Sequence, residues 1–391
     1  MSAAVLEQAE LAALTGLRRA LHQMPELSGA EQETAVRIAA ELAGTGAQVV
    51  TGLGGTGVAA VFDSGRPGPS VMIRAELDAL PITETGTPPW ASRRPGWGHM
   101  CGHDGHMTIL VGLARRLARQ GPARGRVVLI FQPAEETGAG AQALLDDPRF
   151  RALACDWAFA LHNMPGLARG RAWLKAGTVA CASAGLVMRL DGKTSHASAP
   201  EAGISPAGAV ARLIPALEGL GGPPLPGGGD APIGPGFRLA TLCHARVGVR
   251  ALGIAPGEAE LIVSLRAHDD AGRDEMLARA QALAEAEARA AGLALRMHQE
   301  EVFAASVNDE QAVAQMAAAL DAVGIPHDPG TLPMRASEDF GLFGRVSQSA
   351  MVFLGAGEAH PMLHNPDYDF PDALIAPGVA LFQRLARDLC G

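Results

Sequence analysis

His99-Met100-Cys101-Gly102-His103-Asp104-Gly105-His106-Met107 gathers three histidines, a thiol and a carboxylate into nine residues of a 391-residue chain that has only 12 histidines and 5 cysteines. Side chains of these types share one aptitude, the binding of a transition metal. Three further groups share it: Glu135-Glu136 close the apolar run RVVLIF, His162 closes WAFAL, and His364 follows MVFLG in Leu363-His364-Asn365-Pro366. In open α/β sheets functional groups collect at the carboxyl ends of strands, where several loops meet over one crevice. A thiolate, three imidazoles and a carboxylate suit Zn, Mn, Co or Ni better than Mg or Ca. The adjacent glutamates add a division of labour: if one carboxylate holds a metal, its neighbour can take a proton from water the metal polarises. Each group alone has a plainer use. A Glu-Glu pair opening a helix answers the helix dipole, a histidine after a strand is commonly a core or rim residue, and Cys-x-His matches no zinc-finger spacing. Their coincidence at equivalent strand ends favours metal-assisted hydrolysis, with His99 and His106 in supporting roles.

The elements that would position these groups read as an α/β layer interrupted by a second domain. Residues 5–44 have helical spacing with a break at 25–29; strands are predicted at 58–62, 71–73, 125–131, 157–161 and 350–354, and helices at 107–119, 309–323 and 377–389. That alternation implies a mostly parallel sheet flanked by helices. From about 184 the pattern changes to strand 184–192, helix 205–220, a Pro/Gly-rich stretch 221–236, strands 237–249 and 259–269, and a long helix 272–293. This is an α+β sandwich with an antiparallel sheet. The predicted division is a discontinuous catalytic domain, 1–182 and 300–391, carrying an inserted domain, 183–299. Two domains also suit the length, since one core stops growing above about 250 residues.

Composition narrows the function. With 48% hydrophobic and 19% charged residues the chain is an ordinary globular protein, and a net charge of −9 argues against nucleic acid. No apolar run approaches the roughly 18 residues that span a bilayer, and MSAAVLEQAE lacks the basic start of a signal peptide, so no membrane association is expected. Five scattered cysteines without a CxxC pair make a disulfide framework improbable and a cytoplasmic location the expectation.

Eight stretches, LRRALHQMPELSGAEQET, RAELDALPI, GHMCGHDGHM, FQPAEETGAGA, LHNMPG, GKTSHASAPEAGISP, SEDF and LHNPDYDF, span nearly the whole chain in this order. Together they resemble the amidohydrolases related to hippurate hydrolase, N-acyl-amino-acid amidohydrolases and indole-acetyl-amino-acid hydrolases, within the superfamily of two-metal aminoacylases and carboxypeptidases. The resemblance implies that Cys101, His103, Glu136, His162 and His364 hold two metal ions, with Cys101 bridging. It makes Glu135 the general base, gives Asp78 the orientation of a ligand histidine, and has His196 hold the developing oxyanion. The insert is implied to be a lid that also forms a homodimer or higher homo-oligomer. The implied reaction is hydrolysis of a small N-acyl amino acid or similar amide.

Four departures from that pattern bear on substrate. Glu76 stands where the family usually has Asp, Gly253 replaces an asparagine, the 221–236 stretch replaces one that usually carries an arginine, and Arg335 replaces a small residue. A substrate carboxylate would then fall to Arg335, Arg250, Arg246 or Arg238, with Arg335 the leading candidate because a guanidinium grips a carboxylate bidentately. Arg335 could equally pair with Glu338 or Asp339. Alternative functions are a dipeptidase, an aromatic-amine hydrolase using the same metals, or a ligand-binding protein without turnover. The presence of every proposed ligand and of Glu135 weighs against the last.

Overall fold

The computed structural model describes residues 6–223 and 233–391; the central part of the Pro/Gly-rich stretch lies outside them. The chain divides into two compact units, one of 1–179, 306–332 and 339–391, the other of 180–305 and 333–338.

In the first unit eight strands form one sheet in the order Gln48–Leu53, Gly57–Asp63, Arg126–Gln132, Ser70–Glu76, Trp157–Pro165, Gln348–Gly357, Ala172–Trp173, His327–Asp328. The four central strands run parallel; Gly57–Asp63 and Ala172–Trp173 join them antiparallel, Gln48–Leu53 pairs antiparallel at one edge and His327–Asp328 pairs parallel at the other. Successive side chains of a strand face opposite ways, yet Val127 to Gln132 are all buried, so both faces of the sheet are covered. The cover includes the helices Gln8–His22, Gln32–Leu42, His103–Arg119, Glu310–Val323 and Ile375–Cys390, which send Leu14, Ile38, Ile109, Met316 and Phe382 into one apolar core with Val71, Leu129 and Phe159. Local chemistry fixes the helix ends. Asp309 caps Glu310–Val323 by accepting from the amides of Gln311 and Ala312, and Gly324 terminates it at φ 74°.

In the second unit a four-stranded antiparallel sheet has the order Arg238–Val247, Glu258–Ala267, Ala182–Asp191, Ala294–Phe303. Alternate residues of Glu258–Ala267 are buried, as a sheet covered on one face requires. Helices Ala207–Glu218 and Asp270–Ala290 supply that cover through Leu213, Met276 and Ala280. The fold class is therefore the predicted one: a large, mostly parallel central sheet with helices, plus an antiparallel α+β unit.

Several details differ from the sequence reading, among them the short strands Ala172–Trp173 and His327–Asp328, which it did not contain. Strand Ala294–Phe303 had no counterpart in it, because an edge strand reading LRMHQEE alternates poorly. Gln48–Leu53 was also missed; it is a short edge strand joined to its neighbour by a Gly-rich turn. The helix expected from Met107 begins at His103.

Candidate metal centre

Two of the ligand candidates sit where a glycine changes the chain's direction. Gly102, at φ 91°, turns the chain so that Cys101 stays in the loop while His103 opens the helix. A Cβ on Gly102 would come within 2.4 Å of Asn163 Nδ2 and 2.7 Å of the Tyr368 hydroxyl. A Cβ on Gly105, one helical turn along, would lie 2.3 Å from the Phe370 ring. The packing that presents Cys101 and His103 therefore requires glycine at both places.

Glu135 and Glu136 follow strand Arg126–Gln132 in a turn; the next helix begins only at Gly140. The helix-dipole use considered for this pair does not apply. Ala134 before them has φ 50°, a left-handed conformation that costs a residue with a Cβ about 1–2 kcal/mol. His364, at φ 65°, is strained in the same sense and tied by its amide to the Met100 carbonyl at 2.8 Å. Two strained non-glycine residues within one cluster are characteristic of functional sites.

These placements bring the five ligand candidates together. Cys101 Sγ is 3.5 Å from His162 Nε2, and His364 Nε2 is 3.4 Å from Glu136 Oε2. His103 Nε2 is 3.9 Å from both Glu135 Oε2 and Glu136 Oε1. Ligand atoms of Cys101, His103 and His162 lie within 4.8 Å of one another, as do those of Cys101, Glu136 and His364, and those of His103, Glu135 and Glu136. Cys101 thus belongs to two of the triplets. All are buried except His364, whose side chain is 51% exposed, and Glu136, which is partly buried.

The hydrogen bonds behind the cluster select the imidazole tautomers. His162 Nδ1 is 2.7 Å from the Asn163 carbonyl and His103 Nδ1 is 2.9 Å from the Asp78 carbonyl. A carbonyl only accepts, so each Nδ1 carries a proton and each Nε2 is turned toward the cluster. His103 Nε2 is buried without a hydrogen-bond partner, an arrangement a metal ion resolves. Asp78 also reaches His103 Nδ1 at 3.3 Å, while its Oδ2 accepts from Ser28 Oγ at 2.7 Å and from the Glu136 amide at 2.9 Å.

His106 serves differently. Its Nδ1 is 2.8 Å from Glu76 Oε2, and its Nε2 accepts from the Asn163 amide at 3.3 Å and lies 3.1 Å from Asn163 Nδ2. Both nitrogens are engaged, so His106 supports the cluster. Glu76 is itself paired with the buried Arg74, which also donates to Asp339 at 2.8 Å. Asn163 donates to the Cys101 carbonyl at 2.8 Å and accepts from the Tyr368 hydroxyl at 2.5 Å. Neither Asn163 nor Tyr368 was singled out in the sequence; Tyr368 carried one signal, as the only tyrosine in the chain. His99 is buried with neither ring nitrogen hydrogen-bonded, and burial pushes it down to about 4, so it is a neutral ring against the site.

Electrostatics point the same way. Burial, reinforced by Glu136, Glu135 and Glu76, pushes the Cys101 thiol well above the ordinary range. Burial would lower the His103 imidazole, but Glu76, Asp78 and Glu136 overcome it and hold His103 up at about 10. His162 is driven down to about 3 by burial and by His106. A buried pocket with this surplus of carboxylates is short of positive charge, which divalent ions supply while converting the thiol to thiolate. The residues present fit a metal pair.

The remaining candidates lie on the second unit. His196 is on Ser195–His196, a two-residue strand paired with Ile254–Ala255, and is exposed with Nδ1 2.7 Å from Ser198 Oγ. Arg246 is ion-paired with Glu258 at 2.9 Å, and Arg250 is exposed. Arg335 lies over the Phe237 ring, 5.8 Å from its centroid.

A profile of peptidase family M20/M25/M40 matches residues 72–388. Hippurate hydrolase of Campylobacter jejuni is 32% identical over 372 residues, which cover 95% of this chain and 94% of that protein. The IAA-amino acid hydrolase ILR1-like 5 of Arabidopsis thaliana is 28% identical over 386 residues, 95% of this chain and 86% of its own. The crystal structure of Bacillus subtilis YXEP, a dinuclear metal binding peptidase from the M20 family, matches with a TM-score of 0.78 at 25% identity, covering 98% of this chain and 99% of that one.

Proposed function

This chain belongs to peptidase family M20/M25/M40 and is a metal-dependent amidohydrolase, and from that premise we propose that it cleaves the amide bond of a small N-acyl amino acid. The observation that carries the reading is the convergence of Cys101, His103, Glu136, His162 and His364 with the carboxylate of Glu135 beside them. The five side chains would hold two divalent ions among Mn, Zn, Co and Ni. When bound, the ions supply Lewis acidity and lower the pKa of water toward neutrality. Glu135 takes the proton of the attacking water and returns it to the leaving nitrogen. His103 and His162 present Nε2 because their Nδ1 protons are committed to carbonyls, and Asp78 fixes His103 and Glu136 together. His196 donates to the tetrahedral oxyanion. Arg335 grips the substrate carboxylate, ahead of Arg250 and of Arg246, whose guanidinium is already engaged by Glu258.

The names of the relatives, hydrolases of hippurate and of IAA-amino acids, support the substrate class. The protein works in the cytoplasm, a placing supported by five unpaired cysteines, four of them buried. It forms a homodimer through the second unit, whose sheet ends in the edge strands Arg238–Val247 and Ala294–Phe303. Among the described residues no helix is long and apolar enough to cross a membrane.

The test is a panel of N-acetyl, N-benzoyl and indole-acetyl amino acids, with simple dipeptides alongside, offered to protein loaded with each metal in turn. At least one N-acyl amino acid is expected to be hydrolysed with kcat/KM above about 10⁴ M⁻¹ s⁻¹. Cleavage of dipeptides alone would replace the reading with a dipeptidase.

A further inference from the structure

Glu31 is a carboxylate that the mechanism above does not use, yet it is fully buried (0% exposed) and far in sequence from every ligand. Its Oε1 accepts from the Gly29 amide at 2.7 Å and from the Ala134 amide at 2.8 Å, and its Oε2 accepts from Thr56 Oγ at 2.7 Å. Ala134 is the residue at φ 50° immediately before Glu135. On the other side of Glu135, Asp78 Oδ2 accepts the Glu136 amide at 2.9 Å while also holding Ser28 Oγ. The turn that carries Glu135 is therefore gripped by one carboxylate on each side, and both grips are anchored to the 28–31 segment. Further along, the Gly138 amide closes the turn on the Glu135 carbonyl at 2.7 Å.

An alanine does not keep a left-handed conformation without an external hold, because its Cβ crowds the following carbonyl. Here the hold on its amide is Glu31. Asp78 belongs to the ligand scaffold through His103, whereas the Glu31 carboxylate is hydrogen-bonded to Gly29, Thr56 and Ala134 and not to the five ligand side chains. Its connection to chemistry runs through the backbone of residue 134 to the carboxylate of residue 135.

We propose that Glu31 is a positioning residue for Glu135: by fixing the strained peptide at Ala134 it aims the general base, while Asp78 separately aims the neighbouring ligand Glu136. The inference rests on Glu135 being the base. The two grips divide the work, so loss of Glu31 impairs proton transfer more than metal binding. Misplacing a reacting group by about 1 Å costs on the order of 100-fold in rate.

Glu31→Ala and Glu31→Gln test this against Glu26→Ala. Glu26 is a second buried carboxylate, five residues earlier in the chain; it accepts from the Thr34 amide at 2.7 Å and hydroxyl at 2.9 Å and pairs with Arg94 at 3.4 Å, and its side chain is hydrogen-bonded to neither Ala134 nor Glu136. Glu31→Gln keeps an oxygen for both amides and offers its NH₂ to Thr56 Oγ, so it is expected to retain kcat within about threefold. Glu31→Ala is expected to lower kcat by roughly 10- to 100-fold with KM and manganese affinity changed less than about threefold. In the metal-free protein, hydrogen exchange of the amides at 134–138 is expected to quicken in Glu31→Ala and not in Glu26→Ala.

Three results would overturn the proposal: unchanged exchange at the turn, an equal fall of kcat in Glu26→Ala, or no recovery in Glu31→Gln. Failure of the base assignment is read separately, in Glu135→Gln. If that variant turns over normally the base reading itself is gone, whereas an inactive Glu135→Gln with an undisturbed Glu31→Ala refutes only the role of Glu31.

Discussion

Asp78 Oδ2 accepts the backbone amide of Glu136 at 2.9 Å, and the same carboxylate reaches His103 Nδ1 at 3.3 Å through its other oxygen. One buried side chain thereby sets the direction of two ligand candidates that come from different elements. Replacing Asp78 by alanine is expected to weaken manganese binding about 10- to 100-fold, in the range found when groups behind metal ligands are removed. Calorimetric titration checks this; an affinity within twofold of the original would dissociate Asp78 from the centre.

Metal binding should release protons. In the metal-free protein His103 is held up at about 10 and the Cys101 thiol above its ordinary range, so both are protonated at pH 7.5. Ligation needs neutral His103 Nε2 and a thiolate, so filling the site expels roughly two protons, one from each group. Apparent affinity consequently rises with pH. Titration in buffers of different ionisation enthalpy measures the number; zero release would mean that neither group is a ligand.

A second pH effect lies behind the site, in His22. Burial would lower its pKa, but hydrogen bonds to Asp104 at 2.8 Å and Glu84 at 3.4 Å raise it to about 10. The folded state then holds a proton that the unfolded chain loses near 6.5, so this stabilisation is complete below about pH 6.5 and disappears as pH climbs toward 10. Thermal unfolding of the metal-free protein should show a gap in Tm between wild type and His22→Gln that narrows from pH 6.5 to 10. A gap independent of pH would mean that His22 is neutral in the folded protein.

His196→Ala is expected to lower kcat about 100-fold or more, the usual loss on removing one oxyanion donor, with metal content unchanged. An unaltered kcat removes His196 from the mechanism, and a loss of metal reassigns it to the ligand set.

The sequence made the ligand candidates legible because thiols and imidazoles are rare in this chain and several fall at the ends of apolar runs. Cys101, His103, His162 and His364 could be picked out in this way, and Glu136 was told from Glu135 only by the family resemblance, but the residues that hold the cluster could not be picked out. Tyr368 reaches Asn163 across 205 positions and Glu31 reaches Ala134 across 103, and no local spacing encodes such contacts. Glu76 shows the limit another way: as a departure from a pattern it had no interpretable consequence until its partners, Arg74 and His106, were known. The parallel strands were readable as unbroken apolar runs, whereas the charged edge strand Ala294–Phe303 concealed its period.

In the proposed reaction one glutamate binds metal while its neighbour moves the proton. Metal content and turnover of Glu135→Gln, measured on the same sample, test it most directly. The expected result is two ions per chain with near-native affinity and kcat lowered at least 10²- to 10⁴-fold, the contribution of a general base. Turnover close to wild type, or a metal content no higher than that of Cys101→Ala, would contradict the account.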